Sequence, residues 1–175
     1  MRFMQILLPI GSSLPTSVRR TVWLAVCSLP LTVTCPIEAS PVMDDAIVHR
    51  DIEYARPQGV PLLLDVIQPG DTQQPTPVVV FVHGGGWKNG DKKSGHKQAA
   101  WLVEHGFSVV TINYRLTDVA QWPAQMEDCC EAVRWVRRNA DEYRFDPQNV
   151  AAWGTSAGGH LVALMGTRPR KDESV

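Results

Sequence analysis

Charge of one sign, paired cysteines and long apolar runs are all scarce in this sequence. Its 175 residues carry 17 lysines and arginines against 18 aspartates and glutamates, a net charge of -1. Nucleic-acid-binding proteins and anionic-membrane binders usually show an excess of basic residues. The balance therefore argues against a nucleic-acid partner. With 44% hydrophobic and 20% charged residues, the composition is that of one globular domain.

The cysteines do not form a disulfide framework. Of the four, Cys27 and Cys35 lie in the N-terminal segment, and Cys129 and Cys130 are neighbours in a helical pattern, where they cannot easily bridge each other. No group of His, Cys, Asp and Glu has the spacing of a metal site. We therefore predict no metal and no cofactor.

The N-terminal segment differs in character from the rest of the chain. Arg19 and Arg20 precede an uncharged, mostly apolar run at residues 21–35. This order is typical of a signal peptide, and it predicts a leader at residues 1–39 and a secreted or periplasmic protein. The run is too short, and too interrupted by Pro30, for a stable membrane span. A misassigned start, acylation of a cysteine and a twin-arginine route remain alternatives.

Strand and helix patterns alternate in the rest of the chain. Residues 78–82 are continuously β-branched or aromatic, which is typical of a strand buried on both faces of a parallel sheet. Two runs around the turn at residues 56–59 predict an antiparallel hairpin. The order predicts an α/β fold with a mostly parallel sheet. The predicted strands are 46–55, 60–68, 78–82, 109–112 and 150–153, and the predicted helices are 97–105, 123–140 and 157–165.

The longest predicted helix, 123–140, has an apolar stripe at 3.6-residue spacing. The stripe consists of Met126, Cys129, Cys130, Val133, Val136 and Ala140.

Two motifs carry the chemistry of the chain. The pattern G-x-S-x-G occupies residues 154–158, and H-G-G-G-W occupies residues 83–87, directly after a predicted buried strand. A serine hydroxyl is a weak nucleophile until a base takes its proton, and its attack on a carbonyl creates an oxyanion that needs preorganised donors. A G-x-S-x-G turn between a strand and a helix exposes the serine and points free N–H groups at that charge. Ser156 is therefore a candidate nucleophile.

With these motifs the chain resembles the α/β-hydrolase esterases and lipases, in particular the hormone-sensitive-lipase-like and bacterial feruloyl or acetylxylan esterase group. The resemblance extends over residues 46–167 and implies a three-layer α/β-hydrolase sheet. In that fold the third and fifth strands, here 78–82 and 150–153, are adjacent and parallel, and ligands bind beyond their carboxyl ends. The matching stretches are residues 83–87, 90–91, 113–116, 123–128 and 154–160.

The resemblance also implies roles for individual residues. Ser156 would be the nucleophile, and the backbone N–H groups of Gly85, Gly86 and Ala157 would form the oxyanion hole. His83 more plausibly shapes the loop than acts as the base, and His160 lies too far along the helix to reach the serine hydroxyl. The residues that support the motifs are His83, Gly84, Trp87, Gly154 and Gly158.

Several other residues have a structural interpretation beside a functional one. Trp87 and Tyr114 could line a substrate pocket or pack in the core. Arg115 and Asp128 are expected to form a structural pair. The remaining histidines are expected at the surface: His49, His96 and His105.

The sequence contains no obvious acid and base for the serine. In this fold the triad members occur in the order serine, acid, histidine. After Ser156 the only carboxylates are Asp172 and Glu173, and no histidine follows His160. We therefore expect residues 40–175 to be the N-terminal part of an α/β-hydrolase catalytic domain, truncated after the fifth strand and nucleophile helix. The fifth strand would then be an exposed sheet edge.

The resemblance implies a carboxylic-ester hydrolase that forms an acyl-enzyme intermediate. Its substrate would be a small-molecule ester, with carbohydrate-linked acyl groups as one possibility. The alternatives are an amidase or peptidase of the arylformamidase type, and an inactive binding module. Both oxyanion glycines are present, which argues against a module that only binds.

Overall fold

The computed structural model describes residues 45–70 and 72–167, so the predicted leader at residues 1–39 lies outside the described part of the chain. The strands are β1 (Ile47–Ala55), β2 (Leu62–Gln68), β3 (Thr76–Val82), β4 (Ser108–Ile112) and β5 (Phe145–Gly154). The helices are α1 (His96–Glu104), α2 (Ala124–Arg138), α3 (Ala140–Tyr143) and α4 (Ala157–Thr167). Every predicted strand and helix is present, with ends shifted by a few residues.

The five strands form one mixed sheet in the order β1-β2-β4-β3-β5. The β1–β2 and β2–β4 pairs are antiparallel, whereas β3 pairs in parallel with both β4 and β5. The antiparallel hairpin and the parallel neighbours β3 and β5 are as predicted. In the described part of the chain β5 lies at a sheet edge, and its Trp153 is 40% exposed.

The sheet separates two hydrophobic cores because successive side chains of a strand point to opposite faces. One face, which α2 and α4 cover, carries Leu64, Val66, Val78, Val80, Val82, Val110 and Ile112. The other face, which α1 covers, carries Ile67, Val79, Phe81 and Val109. Layers of helices on both faces explain why β3 reads as a continuous apolar run.

The buried stripe of α2 differs from the predicted one. Cys130 and Val133 are only half-buried, whereas Trp135 and the charged Asp128 are buried. The stripe therefore includes a carboxylate, which an apolar periodicity cannot anticipate. The predicted helix is also interrupted, since α2 ends at Arg138 and α3 follows. Among the described helices, none is both long and apolar enough to cross a bilayer.

Candidate active site

The two sequence motifs meet at the carboxyl ends of adjacent parallel strands. Val82 at the end of β3 pairs with Gly154 at the end of β5, and the N–H of Thr155 donates a hydrogen bond to the Val82 carbonyl at 3.3 Å. The chain after β3 and the chain after β5 therefore begin side by side. This is the end of an open α/β sheet at which ligands bind.

Ser156 lies on a sharp turn between β5 and α4. Its φ is 52°, in the left-handed region that few non-glycine residues occupy, and its side chain is exposed. The turn is tight because a Cβ at Gly154 would lie 2.4 Å from the Gly158 carbonyl carbon, and one at Gly158 would lie 2.1 Å from the Val82 oxygen. Only glycine fits at these two positions, which explains the G-x-S-x-G pattern.

The loop after β3, residues 83–91, lies against this turn and is called here the candidate oxyanion loop. A Cβ at Gly84 would lie 3.2 Å from the Cβ of Ser156. Gly85 has φ 119° and its carbonyl accepts hydrogen bonds from the N–H groups of Lys88 and Asn89, at 3.2 and 3.1 Å. The glycines thus allow the loop to turn back on itself beside the serine.

The proposed oxyanion donors are unpaired. Within residues 45–70 and 72–167, the N–H groups of Gly85, Gly86 and Ala157 donate no hydrogen bond. Ala157 begins α4, and the first N–H groups of a helix have no partner inside the helix and carry its positive dipole end. The turn that carries Ser156 and the loop that packs against it therefore contain free N–H donors, the kind of group that an oxyanion hole requires.

His83 and Tyr114 are packed beneath the loop. Their rings stack with centroids 4.3 Å apart, and the His83 Nδ1–H donates to the Gly84 carbonyl at 2.7 Å. Burial lowers the pKa of His83 and raises the pKa of Tyr114 to about 12, so both rings are neutral near pH 7. His83 is therefore buried and bonded to the loop backbone, and Tyr114 is packed in the core.

Trp87 and His160 contact each other across the site. Their rings meet edge to face with centroids 5.5 Å apart, and Trp87 remains 37% exposed. The His160 N–H donates to the Ser156 carbonyl at 3.0 Å. In the described part of the chain, no group forms a hydrogen bond with the Ser156 hydroxyl. That His160 is not the base stays a prediction.

Other predicted residues lie away from the serine. Arg115 and Asp128 form the expected pair, with Arg115 Nη2 2.7 Å from Asp128 Oδ1. His49 and His105 are exposed, as predicted, whereas His96 is half-buried, with 23% of its side chain exposed and its Nε2 2.8 Å from Asp65 Oδ2. The sequence feature that could have indicated this contact is the charged Asp65 within the otherwise apolar β2. Among the described residues, no cluster of His, Cys, Asp and Glu could hold a metal ion.

Comparisons with known proteins agree on one family. The BD-FAE family model matches residues 64–174. Esterase LipC of Mycobacterium tuberculosis is 34% identical over 135 residues, which cover 74% of this chain and 34% of LipC. Carboxylesterase NlhH of the same organism is 37% identical over 120 residues, which cover 68% of this chain and 37% of NlhH. The chain thus spans about a third of the length of these relatives.

Solved structures give the same result for the fold. A bacterial heroin esterase superposes with a TM-score of 0.64 at 29% identity, over 71% of this chain and 40% of that enzyme. Esterase 2 of Thermogutta terrifontis with bound butyrate superposes with a TM-score of 0.62 at 32% identity, over 71% of this chain and 45% of that esterase. The mixed sheet therefore corresponds to part of an α/β-hydrolase esterase.

Proposed function

This chain belongs to the BD-FAE family, and from that premise we propose that it acts in a carboxylic-ester hydrolase whose nucleophile is Ser156. One observation carries the proposal. Ser156, exposed and with positive φ, is followed by Ala157 and packs against Gly84, and among the described residues the N–H groups of Gly85, Gly86 and Ala157 are unpaired. The esterase relatives support ester hydrolysis as the reaction.

The proposed reaction has two stages. The Ser156 oxygen attacks the ester carbonyl carbon, and the N–H groups of Gly85, Gly86 and Ala157 stabilise the negative charge on the carbonyl oxygen. The tetrahedral intermediate then expels the alcohol, which takes up a proton, and leaves an acyl group on the serine. Water attacks the acyl-enzyme at the same oxyanion hole and releases the acid.

Both stages need a base, since the serine and the water must each lose a proton. The described residues place no such group at the Ser156 hydroxyl. We propose that the base and its carboxylate partner lie outside residues 45–167. The whole protein, meaning this chain together with any further coding sequence, is therefore the material for the assay.

The test is hydrolysis of p-nitrophenyl acetate by the whole protein and by Ser156→Ala. We expect kcat to fall at least about 10⁴-fold, because the nucleophile is lost. Thr167→Ala is the matched control: it removes an exposed hydroxyl of the same helix, which among the described residues bonds only the carbonyls of Ala163 and Leu164. Hydrolysis that survives Ser156→Ala would contradict the proposal. A fluorophosphonate that leaves Ser156 unlabelled would favour the inactive binding module.

We propose esters with a bulky alcohol, including acylated carbohydrates, as the substrate class. The exposed Trp87 accepts at its carbonyl a hydrogen bond from Thr117 N–H, and exposed Val119 and Trp122 follow along the same segment. These exposed apolar side chains, of which Trp87 contacts His160 one turn after Ser156, support a large alcohol group. Comparing acetylated xylo-oligosaccharides with p-nitrophenyl acetate tests this, and matched amides test the amidase alternative.

We also propose export from the cytoplasm, on the basis of the basic start and apolar run in residues 1–39. N-terminal sequencing of the protein from extracytoplasmic fractions should give a mature chain that begins near residue 40. An intact N-terminus on protein from the cytoplasm would contradict export.

A further inference from the structure

A charged cluster lies at the exit of the candidate oxyanion loop, with a buried Asp65–Lys92 pair at its centre, a half-buried His96 and an exposed Asp51. Lys92 Nζ lies 2.6 Å from Asp65 Oδ1 and 2.8 Å from Asp51 Oδ1, and His96 Nε2 lies 2.8 Å from Asp65 Oδ2. The side chains of Asp65 and Lys92 are 0% and 3% exposed. These four residues are called the Asp65 cluster. None of them belongs to the predicted site.

The cluster joins the sheet to the loop. Asp65 lies in β2, opposite Thr111 of β4, and Lys92 follows the loop directly. The N–H of Asp51, at a bulge of β1, donates to Asp65 Oδ1 at 2.8 Å. The Asp65 carboxylate is therefore fixed by a hydrogen bond from β1, and it in turn fixes the ammonium group of Lys92.

The exit of the loop has a second polar contact at the same place. The backbone N–H of Lys92 donates to Asn113 Oδ1 at 2.7 Å, and Asn113 follows β4 directly. Asp91 accepts a hydrogen bond from the Lys93 N–H at 2.8 Å and so starts the short turn Lys92–Gly95. Both the backbone and the side chain of Lys92 are thus tied to the sheet.

The middle of the loop is held less firmly. Residues 85–91 are exposed. Within the described part of the chain, the polar and ring contacts of residues 85–90 beyond the loop are the Thr117 N–H to the Trp87 carbonyl and the ring of His160, whereas Asp91 bonds Asn113, Lys93 and Ser94. The position of Gly85 and Gly86 relative to Ser156 therefore depends on the two ends. His83 under Tyr114 fixes the entry, and Lys92 on Asp65 fixes the exit.

A buried ion pair is a weak explanation for stability, because desolvation offsets most of the attraction and an apolar pair of similar volume is often as stable. Its hydrogen bonds do impose geometry. We propose that Asp65 and Lys92 are positioning residues that set the register of the candidate oxyanion loop, and through it the placement of the Gly85 and Gly86 N–H groups. This inference rests on the proposed function, in which those groups stabilise the oxyanion.

The experiment compares Lys92→Met, Asp65→Asn and the double variant Asp65→Leu/Lys92→Met in the whole protein. Three quantities are measured: the free energy of unfolding, amide hydrogen exchange in residues 84–90, and kcat and KM for p-nitrophenyl acetate. Arg138→Met, which breaks an exposed ion pair of α2 with Glu131, is the control.

We expect Lys92→Met to speed exchange in the loop at least about tenfold and to lower kcat about 10- to 100-fold, with KM changed less than about twofold. The double variant should regain stability because no buried charge is left unpaired: Asp51 loses Lys92, but its side chain is 65% exposed. It should keep the fast exchange and low kcat, since the geometry is still missing. If the pair were merely structural, the double variant would instead regain the wild-type stability, the slow exchange and the wild-type kcat.

Three results would overturn the inference. Lys92→Met could match Arg138→Met in exchange and kcat, the double variant could recover both, or none of the variants could fold. If the wild-type protein shows no hydrolysis that depends on Ser156, the proposed function fails. The exchange measurement then still decides the inference, because faster exchange supports positioning and unchanged exchange rejects it.

Discussion

Two buried ion pairs hold loops on opposite sides of the sheet, and they are built differently. Arg115 follows β4 and pairs with Asp128 of α2, beside the larger core. Lys92 follows the candidate oxyanion loop and pairs with Asp65 of β2, on the face that α1 covers. Each pair fixes the start or end of a loop at the carboxyl edge of the sheet.

The difference lies in how many partners each charge has. Asp128 accepts from the Nε, Nη2 and backbone N–H of Arg115, at 2.9, 2.7 and 2.9 Å, so both members are satisfied largely by each other. Lys92 is shared between Asp51 and Asp65, and Asp65 is shared between Lys92 and His96. Arg115 and Asp128 are called here the closed pair, and the Asp65 cluster is the shared one. Loss of one member should therefore lower the free energy of unfolding more in the closed pair than in the shared cluster.

The largest effect is expected at the closed pair. Asp128→Leu leaves the Arg115 guanidinium buried without its main partner, and a guanidinium cannot lose its charge in a protein. We expect the free energy of unfolding to fall by about 3–5 kcal/mol in urea titrations. Glu127→Gln is the control, since Glu127 is exposed and its carboxylate lies 3.9 Å from Arg115. A loss below about 1 kcal/mol would show that the Arg115 charge does not depend on Asp128 as its main partner.

A smaller loss is expected in the shared cluster. Asp65→Leu removes one partner of Lys92 but leaves Asp51 2.8 Å from its ammonium group. We expect a loss of about 1–3 kcal/mol, because the remaining charge is only partly compensated. Combining Asp65→Leu with Asp51→Asn should bring the loss to that of Asp128→Leu. If the combination costs no more than the single change, Asp51 does not share the charge of Lys92.

The fold was largely predictable because each strand and helix has a local signal. The continuous β-branched run of β3 indicates burial on both faces, and the periodicity of α2 indicates a helix. The turn around Ser156 was equally predictable from the sequence, because it is tight enough to require glycine at positions 154 and 158. Local patterns therefore suffice where local geometry restricts the choice of residue.

The Asp65 cluster was not predictable in the same way. Asp65 and Lys92 are 27 residues apart, and their contact depends on β2 lying beside β4 and on the turn that begins at Asp91. His96 was expected at the surface because helical periodicity does not reveal that the first turn of α1 lies over a buried carboxylate. Long-range ion pairs have no periodic signal, although a charge inside an apolar strand indicates that one is needed.

Acid should weaken the shared cluster over a defined pH range. Burial alone would raise the pKa of Asp65, but hydrogen bonds from Lys92, the Asp51 N–H and His96 lower it below its ordinary 3.8. A carboxyl group with a lowered pKa in the folded state stabilises the fold above its unfolded pKa and loses this contribution as pH falls through the folded pKa. The stability difference between wild type and Asp65→Asn should thus be constant from pH 7 to about 5 and shrink below about 4. A difference that grows as the pH falls through this range would contradict a lowered pKa of Asp65.

The smallest effect is expected at an exposed pair, which provides the reference for both buried ones. Arg138 Nη2 lies 2.6 Å from Glu131 Oε1 in α2, and the two side chains are 55% and 30% exposed. Water and salt screen such pairs, so Arg138→Met should change the free energy of unfolding by about 0.5 kcal/mol or less. Repeating the urea titrations in high salt should remove even this change, whereas the losses at Asp128 and Asp65 should persist because water is excluded there. Salt that reduces all three losses equally would show that the buried pairs are as solvated as the exposed one, and the distinction between a closed and a shared pair would then have no energetic basis.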